Sequence, residues 1–261
     1  MSIDFHIDDK GIALLCVNRP EQRNALSWSA QESFAAAAAT VASNPATRLL
    51  IITGTGSKAF VSGGDLKELS QHPDAGAGQR LYRVMNQALT QLTQLPIPVI
   101  VAINGDAFGG GCEILTACDL RLAVPHARFS FAQIRNGLTT GWGGTGRLVR
   151  LVGHSRAMEL LLTGRIIDAA EAQQIGLVHR VLGDGEEILT AAHTWANELI
   201  TLPHHTLASF KELVYTASSA SIAATNQREA ELFTQLYGQP DHLAALQAFM
   251  EKRQPRFNQQ I

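Results

Sequence analysis

Three cysteines in 261 residues are too few and too scattered for a disulfide framework. Cys16, Cys112 and Cys118 share no metal-ligand spacing, and an odd count suits a reducing compartment. No basic run exists: 21 Lys and Arg face 23 Asp and Glu, for a net charge of −2. Nucleic acid and anionic membranes are therefore poor partners. The longest apolar run, Pro98 to Ile103, is far too short to cross a bilayer. Nine histidines include no HExxH pair, so no metal is expected. Beyond a plain helical run from Ala35 to Ala39, no repeat or low-complexity stretch occurs. The acidic, alternating start from Met1 to Asp9 reads as a strand rather than a targeting peptide, and the cytoplasm is the expected location.

Apolar residues make up 46% and charged residues 17%, enough for a sizeable core. Disorder is expected only from Pro73 to Gly78 and in the last few residues. Alternating segments Ile3–Asp8 and Ile12–Asn18, split by Asp9-Lys10-Gly11, predict a hairpin. Ser27 can cap an alanine-rich helix running to about Ser43. Leu49–Thr53 and Pro98–Ile103 read as buried strands, and Leu66–Gln94 as helix with a break at His72–Gly78. A short helix ends at Cys118, and Asp119–Val124 and Ala127–Phe131 are further strands. This alternation argues for an α/β fold of stacked ββα units. From Gly143 onward helical segments dominate. The division expected is a core over residues 1–195 and a helical region over 196–261.

Two glycine-bearing loops follow the two buried strands. The first runs Lys58-Ala59-Phe60-Val61-Ser62-Gly63-Gly64-Asp65-Leu66-Lys67. The second runs Asn104-Gly105-Asp106-Ala107-Phe108-Gly109-Gly110-Gly111-Cys112-Glu113. Glycine lets a backbone approach a ligand closely, and a helix N-terminus adds free N–H groups. Two such loops can aim two amides at one oxygen; they can also be plain tight turns. Gly141-Trp142-Gly143-Gly144-Thr145-Gly146 matches a dinucleotide glycine pattern but lacks the preceding parallel strand. Ser62 lacks the first glycine of a nucleophile elbow.

Several stretches together resemble the crotonase, or enoyl-CoA hydratase/isomerase, family over essentially the full length. They are Asn18-Arg19-Pro20 with Asn24-Ala25-Leu26, the two loops, Ala117-Cys118-Asp119-Leu120-Arg121, Gly143-Gly144-Thr145-Gly146-Arg147-Leu148, Leu162-Thr163-Gly164-Arg165 and Phe249-Met250-Glu251-Lys252-Arg253. The resemblance implies a spiral of ββα units with a C-terminal helical region that trimerises, giving a homotrimer or a dimer of trimers. It implies an acyl-CoA thioester substrate, with coenzyme A as part of the substrate and no separate cofactor. The family's oxyanion amides fall on Gly64 and Gly110. Its CoA contacts fall on Arg23, Ala25 and Leu26, on Ser62, Asp65, Leu66 and Lys67, and, from a neighbouring subunit, on Phe233 and Lys252.

The first hydratase glutamate falls on Glu113. The second falls on Gln133, and an amide cannot take and return a proton. The family's methylmalonyl- and ethylmalonyl-CoA decarboxylases keep the first carboxylate and lack the second, and the stretch from Gly141 to Thr145 resembles the ethylmalonyl-CoA enzyme. Decarboxylation of a 2-carboxyacyl-CoA is therefore favoured. A hydratase or isomerase with an altered acid/base pair, and an acyl-CoA binding protein with little turnover, are the alternatives. Three side chains stay open between roles. Gln133 can contact substrate or bond a neighbouring loop, Trp142 can line the acyl pocket or sit in the core, and Asp65 can cap a helix or touch CoA.

Overall fold

The computed structural model describes residues 2–183 and 185–258. β1 (Ile3–Ile7) and β2 (Ile12–Val17) form the expected hairpin, with Ile3 opposite Val17 and Ile7 opposite Ala13. Gly11 turns it with φ +80°, and a side chain there would collide with the Ala46 carbonyl at 2.4 Å. α1 (Trp28–Ser43) starts where Ser27 accepts a hydrogen bond from the Ala30 amide. It is followed by β3 (Leu49–Gly54), β4 (Ala59–Val61), the short α2 (Leu66–Leu69) and α3 (Ala75–Gln94). The next turn of the spiral is β5 (Val99–Ile103), β6 (Asp106–Phe108) and α4 (Gly110–Thr116). β7 (Leu120–Ala123), β8 (Arg128–Ser130) and a 3-10 turn over Ala132–Asn136 form another.

Each turn places one strand in each of two sheets. The six-stranded sheet has the order β1-β2-β3-β5-β7-β10, with β10 at Arg180–Val181, and the four-stranded sheet the order β4-β6-β8-β9, with β9 at Ile167–Asp168. The first is parallel except for the hairpin, and β3 and β5 are wholly buried, which explains their unbroken apolar runs. After the spiral come α5 (Gly144–Val152), α6 (His154–Thr163), β9 (Ile167–Asp168), α7 (Ala169–Gln174), β10 (Arg180–Val181) and α8 (Ile188–Leu199). α9 (His204–Ala217), α10 (Ile222–Leu236) and α11 (Pro240–Met250) complete the chain. α8 runs through residue 195, and the nearest break in the helices lies at Thr201-Leu202-Pro203.

Two expectations change. Both glycine loops contain a short strand, β4 and β6, which pair in parallel and are too brief to show a periodicity. The expected disorder from Pro73 to Gly78 is replaced by a helix start, since Asp74 accepts a hydrogen bond from the Ala77 amide. The expected disorder at the end falls partly on residues 259–261, outside the described residues.

One buried ion pair ties α9 to the spiral. Lys211 Nζ lies 2.7 Å from Asp119 Oδ2 and also donates to the Leu92 and Ile97 carbonyls. Burial pushes the Lys211 pKa down and Asp119 pulls it back. Lys211→Met leaves two carbonyls unpaired and Asp119 with only the Val99 amide and the Tyr215 hydroxyl, so it should cost about 3 kcal/mol of unfolding free energy. Urea unfolding read by circular dichroism measures this, and an unchanged midpoint contradicts it.

Candidate active site

The triple glycine at the start of α4 has three separate causes. Gly109 adopts φ +52°, ψ −114° at the helix N-cap. A Cβ on Gly110 would lie 2.2 Å from the Trp142 ring, and one on Gly111 only 1.9 Å from the Val61 carbonyl oxygen. α4 is thereby pressed against β4 and against Trp142, and all seven of its residues are buried.

The first loop reaches the same place. A Cβ on Gly63, where φ is +100°, would stand 3.2 Å from the Gly110 nitrogen. The Gly64 and Gly110 amides donate to no protein group among the described residues. Two free N–H groups on adjacent loops are the arrangement that can hold a developing oxyanion.

The segment Arg23–Leu26 is hydrogen-bonded to this loop. Ser62 N donates to Arg23 O at 3.2 Å, Leu26 N to Gly63 O at 2.8 Å, and Asp65 N to Leu26 O at 3.0 Å. Arg23, Leu66 and Lys67 are exposed beside it, with Ala25, Ser62 and Asp65 half-buried. One expected contact is corrected and one open role is narrowed. Leu26 is fully buried, its N–H is used, and its carbonyl already accepts from Asp65 and Gln31, so it ties loops together and offers a ligand nothing. Asp65 stands at the N-cap of α2 but makes no cap hydrogen bond; its carboxylate pairs with Arg19 at 3.1 Å.

Glu113 is 1% exposed and receives four N–H donors. Gln133 Nε2 (2.8 Å) and Gly141 N (3.0 Å) donate to its Oε1, and Trp142 N and Gly144 N (both 2.8 Å) to its Oε2. Gln133 thus bonds Glu113 itself and not a neighbouring loop. Burial pushes the Glu113 carboxyl above its ordinary value, while the four donors hold it back. A raised folded pKa means that Glu113 adds most to stability at low pH, and that this contribution fades as pH rises through its folded pKa.

Trp142 is 2% exposed, and its ring backs Gly110 rather than lining an open wall. Its backbone N–H was not foreseen as functional, nor were those of Gly141 and Gly144. The signal was present. The glycine-rich stretch at the start of α5 does cradle an anion, as such loops do, but the anion is the protein's own carboxylate. Arg147 on α5 holds the cradle by donating to the Trp142 carbonyl at 2.6 Å.

Phe233 and Lys252 do not join this cluster within one chain. Phe233 is 65% exposed and lines a cavity of about 1330 Å³ between α9–α11 and the segment Thr93–Pro96. Neither Glu113, Gln133, Gly64 nor Gly110 lines it. Lys252 is exposed, with φ +53°. Cys112 and Cys118 are buried among apolar neighbours, and burial drives both thiols strongly up, Cys118 to about 12. No group of His, Cys, Asp and Glu among the described residues could hold a metal ion, and no helix there is long and apolar enough to cross a membrane.

The architecture has close counterparts. An enoyl-CoA hydratase from Bacillus anthracis superimposes with a TM-score of 0.92 at 32% identity, covering 98% of this chain and 99% of that one. One from Mycobacterium smegmatis gives 0.93 at 28% identity, covering 99% and 100%. The fold is thus that of the crotonases. The crotonyl-CoA hydratase of Syntrophomonas wolfei is 34% identical over 255 residues, 95% of each chain. The profile of the enoyl-CoA hydratase/isomerase family matches residues 8–260. The chain belongs to that family and is an acyl-CoA-processing enzyme.

Proposed function

We propose that this enzyme stabilises a thioester enolate between the Gly64 and Gly110 amides and forms it by decarboxylating a 2-carboxyacyl-CoA. The observation that supports this most is the saturation of Glu113. A carboxylate has about four acceptor sites, and all four are filled. Glu113 is then badly placed to bind and deprotonate a water, and Gln133 cannot do so at all. Hydration and isomerisation both need a base. Loss of carbon dioxide needs none: the C–C bond pair becomes the enolate, and the α-carbon then needs one proton. Glu113 supplies that proton from its protonated form, in which the Glu113 O–H takes the place of one of the four incoming N–H bonds.

Hydration is the second reading, favoured by relatives such as the crotonyl-CoA hydratase above and the short-chain-enoyl-CoA hydratase of Clostridium acetobutylicum, 34% identical over 93% of this chain. Turnover of ethylmalonyl-CoA and methylmalonyl-CoA against crotonyl-CoA separates the two. Rapid hydration of crotonyl-CoA dependent on Glu113 would sink the decarboxylase reading. Binding of all three esters with no turnover would make the chain an acyl-CoA binding protein.

Gln133→Glu probes the same point from the other side. Two carboxylates 2.8 Å apart cannot both stay ionised, so one pKa rises and the pair gains an acid and a base. Hydration of crotonyl-CoA should increase at least ~100-fold. No increase in a folded variant would show that the amide is not what limits hydration.

The C-terminal helices support assembly into trimers. Ile222, Phe249 and Met250 are each 81% exposed and Phe210 is 62% exposed, a concentration of large apolar side chains in water that assembly would cover. The expected particle is a homotrimer or a dimer of trimers, with Phe233 and Lys252 meeting coenzyme A in a neighbouring subunit. Light scattering that found only monomer at working concentration would refute it.

A further inference from the structure

Gln133 carries a buried acceptor with nothing to accept. Its Nε2 donates to Glu113 Oε1 at 2.8 Å, while its Oε1 is sealed from solvent and has no hydrogen-bond partner. Such a group is costly to bury. The two ends of an amide are nearly equal in size, so half a turn about the last side-chain torsion exchanges them without new volume. The orientation observed is the one that an ionised Glu113 demands, N–H against O⁻. A protonated Glu113 demands the reverse, because its O–H needs an acceptor.

The geometry points to Gln133 as a positioning residue that serves both charge states of Glu113 by turning its amide. In the protonated state Glu113 Oε1–H donates to Gln133 Oε1. Gly141 N–H stays on the same Glu113 oxygen, and Trp142 and Gly144 stay on the other. This rests on the reading of Glu113 as the proton carrier. In delivery the enolate's electron pair forms the new C–H bond at the α-carbon. The O–H bond of Glu113 breaks, its pair stays on Oε1, and Gln133 turns its N–H back to that oxygen.

Few other charges face the pair. Arg147 on α5 lies close enough to feel Glu113, as does the Cys112 thiol on α4, and Arg147 in turn feels Tyr215 on α9, the Cys118 thiol and Tyr82 on α3. The Arg147 guanidinium stays charged throughout, and burial keeps the Cys112 thiol protonated, so neither follows the Glu113 proton.

The test is pH-difference infrared spectroscopy on the substrate-free full chain labelled with ¹³C-glutamine. Glu113→Gln serves as the blank that identifies the carboxyl band. Acidification should raise the Glu113 acid band and shift one glutamine carbonyl band with the same midpoint. Gln133→Met should remove that glutamine band and leave the midpoint within about half a pH unit, since both charge states lose one hydrogen bond. A fixed donor gives a different result: only the ionised form loses a bond, and the midpoint rises by about one to two units. That rise overturns the inference. A glutamine carbonyl that ignores the Glu113 titration also overturns it, and needs no Gln133 variant. The measurement requires no turnover, so failure of the decarboxylation assay and failure of the amide turn are separate results.

Discussion

Glu113→Gln should lower turnover of a 2-carboxyacyl-CoA by up to about 10,000-fold, the upper range for losing a positioned proton donor. It should also destabilise the fold. The substituted amide can accept from Trp142 and Gly144, and its NH₂ group can donate to the turned Gln133 Oε1, but that NH₂ group would then oppose Gly141 N–H. Each buried donor left without an acceptor costs about 1–3 kcal/mol. Steady-state rates at saturating substrate, with thermal melts of the same samples, separate the two effects. A variant that melts early yet keeps full activity would assign Glu113 a purely structural role.

Gly110→Ala should be nearly as damaging, for a different reason. The new methyl would stand 2.2 Å from Cζ3 and 2.3 Å from Cη2 of Trp142, so the ring or the helix must move. Overpacking of this kind costs about 1–3 kcal/mol. Displacement of the Gly110 amide by a fraction of an ångström should cost a further ~100- to 1,000-fold in kcat, as for loss of one oxyanion donor. Gly146→Ala is the control. Nothing lies within 4 Å of that Cβ position, and α5 should accept the residue at no loss of activity. If Gly110→Ala matches Gly146→Ala in rate and melting, the close packing of Trp142 on Gly110 is irrelevant to function.

How much of this was legible in the sequence followed the physics of each feature. Strands such as Val99–Ile103 are buried on both faces and announce themselves as unbroken apolar runs. β4 and β6 are three residues each and are set by pairing with one another, which leaves no local trace. The positions of Glu113 and Gln133 could be found from the glycines and the family spacing. The direct bond between them could not, because it depends on how α4 and the 3-10 turn after β8 are brought together. Leu26 departs from its expected role for a related reason. Its place in a recognisable stretch says nothing of the Gly63, Asp65 and Gln31 groups that occupy its backbone. Asp65 shows the same competition: a capping residue by type, it is taken by Arg19.

In the proposed trimer, the exposed apolar side chains of the C-terminal helices would make the protein's stability depend on how much of it there is. Covering side chains such as Ile222, Phe249 and Met250 returns roughly 25 cal/mol for each Å² removed from water. A partner that binds only the folded chain shifts the folding equilibrium by mass action. Dilution alone would then lower the melting temperature and, if Phe233 and Lys252 meet coenzyme A in the neighbouring subunit as proposed, weaken coenzyme A binding as well. In that assembly, cellular abundance would itself be a control on affinity.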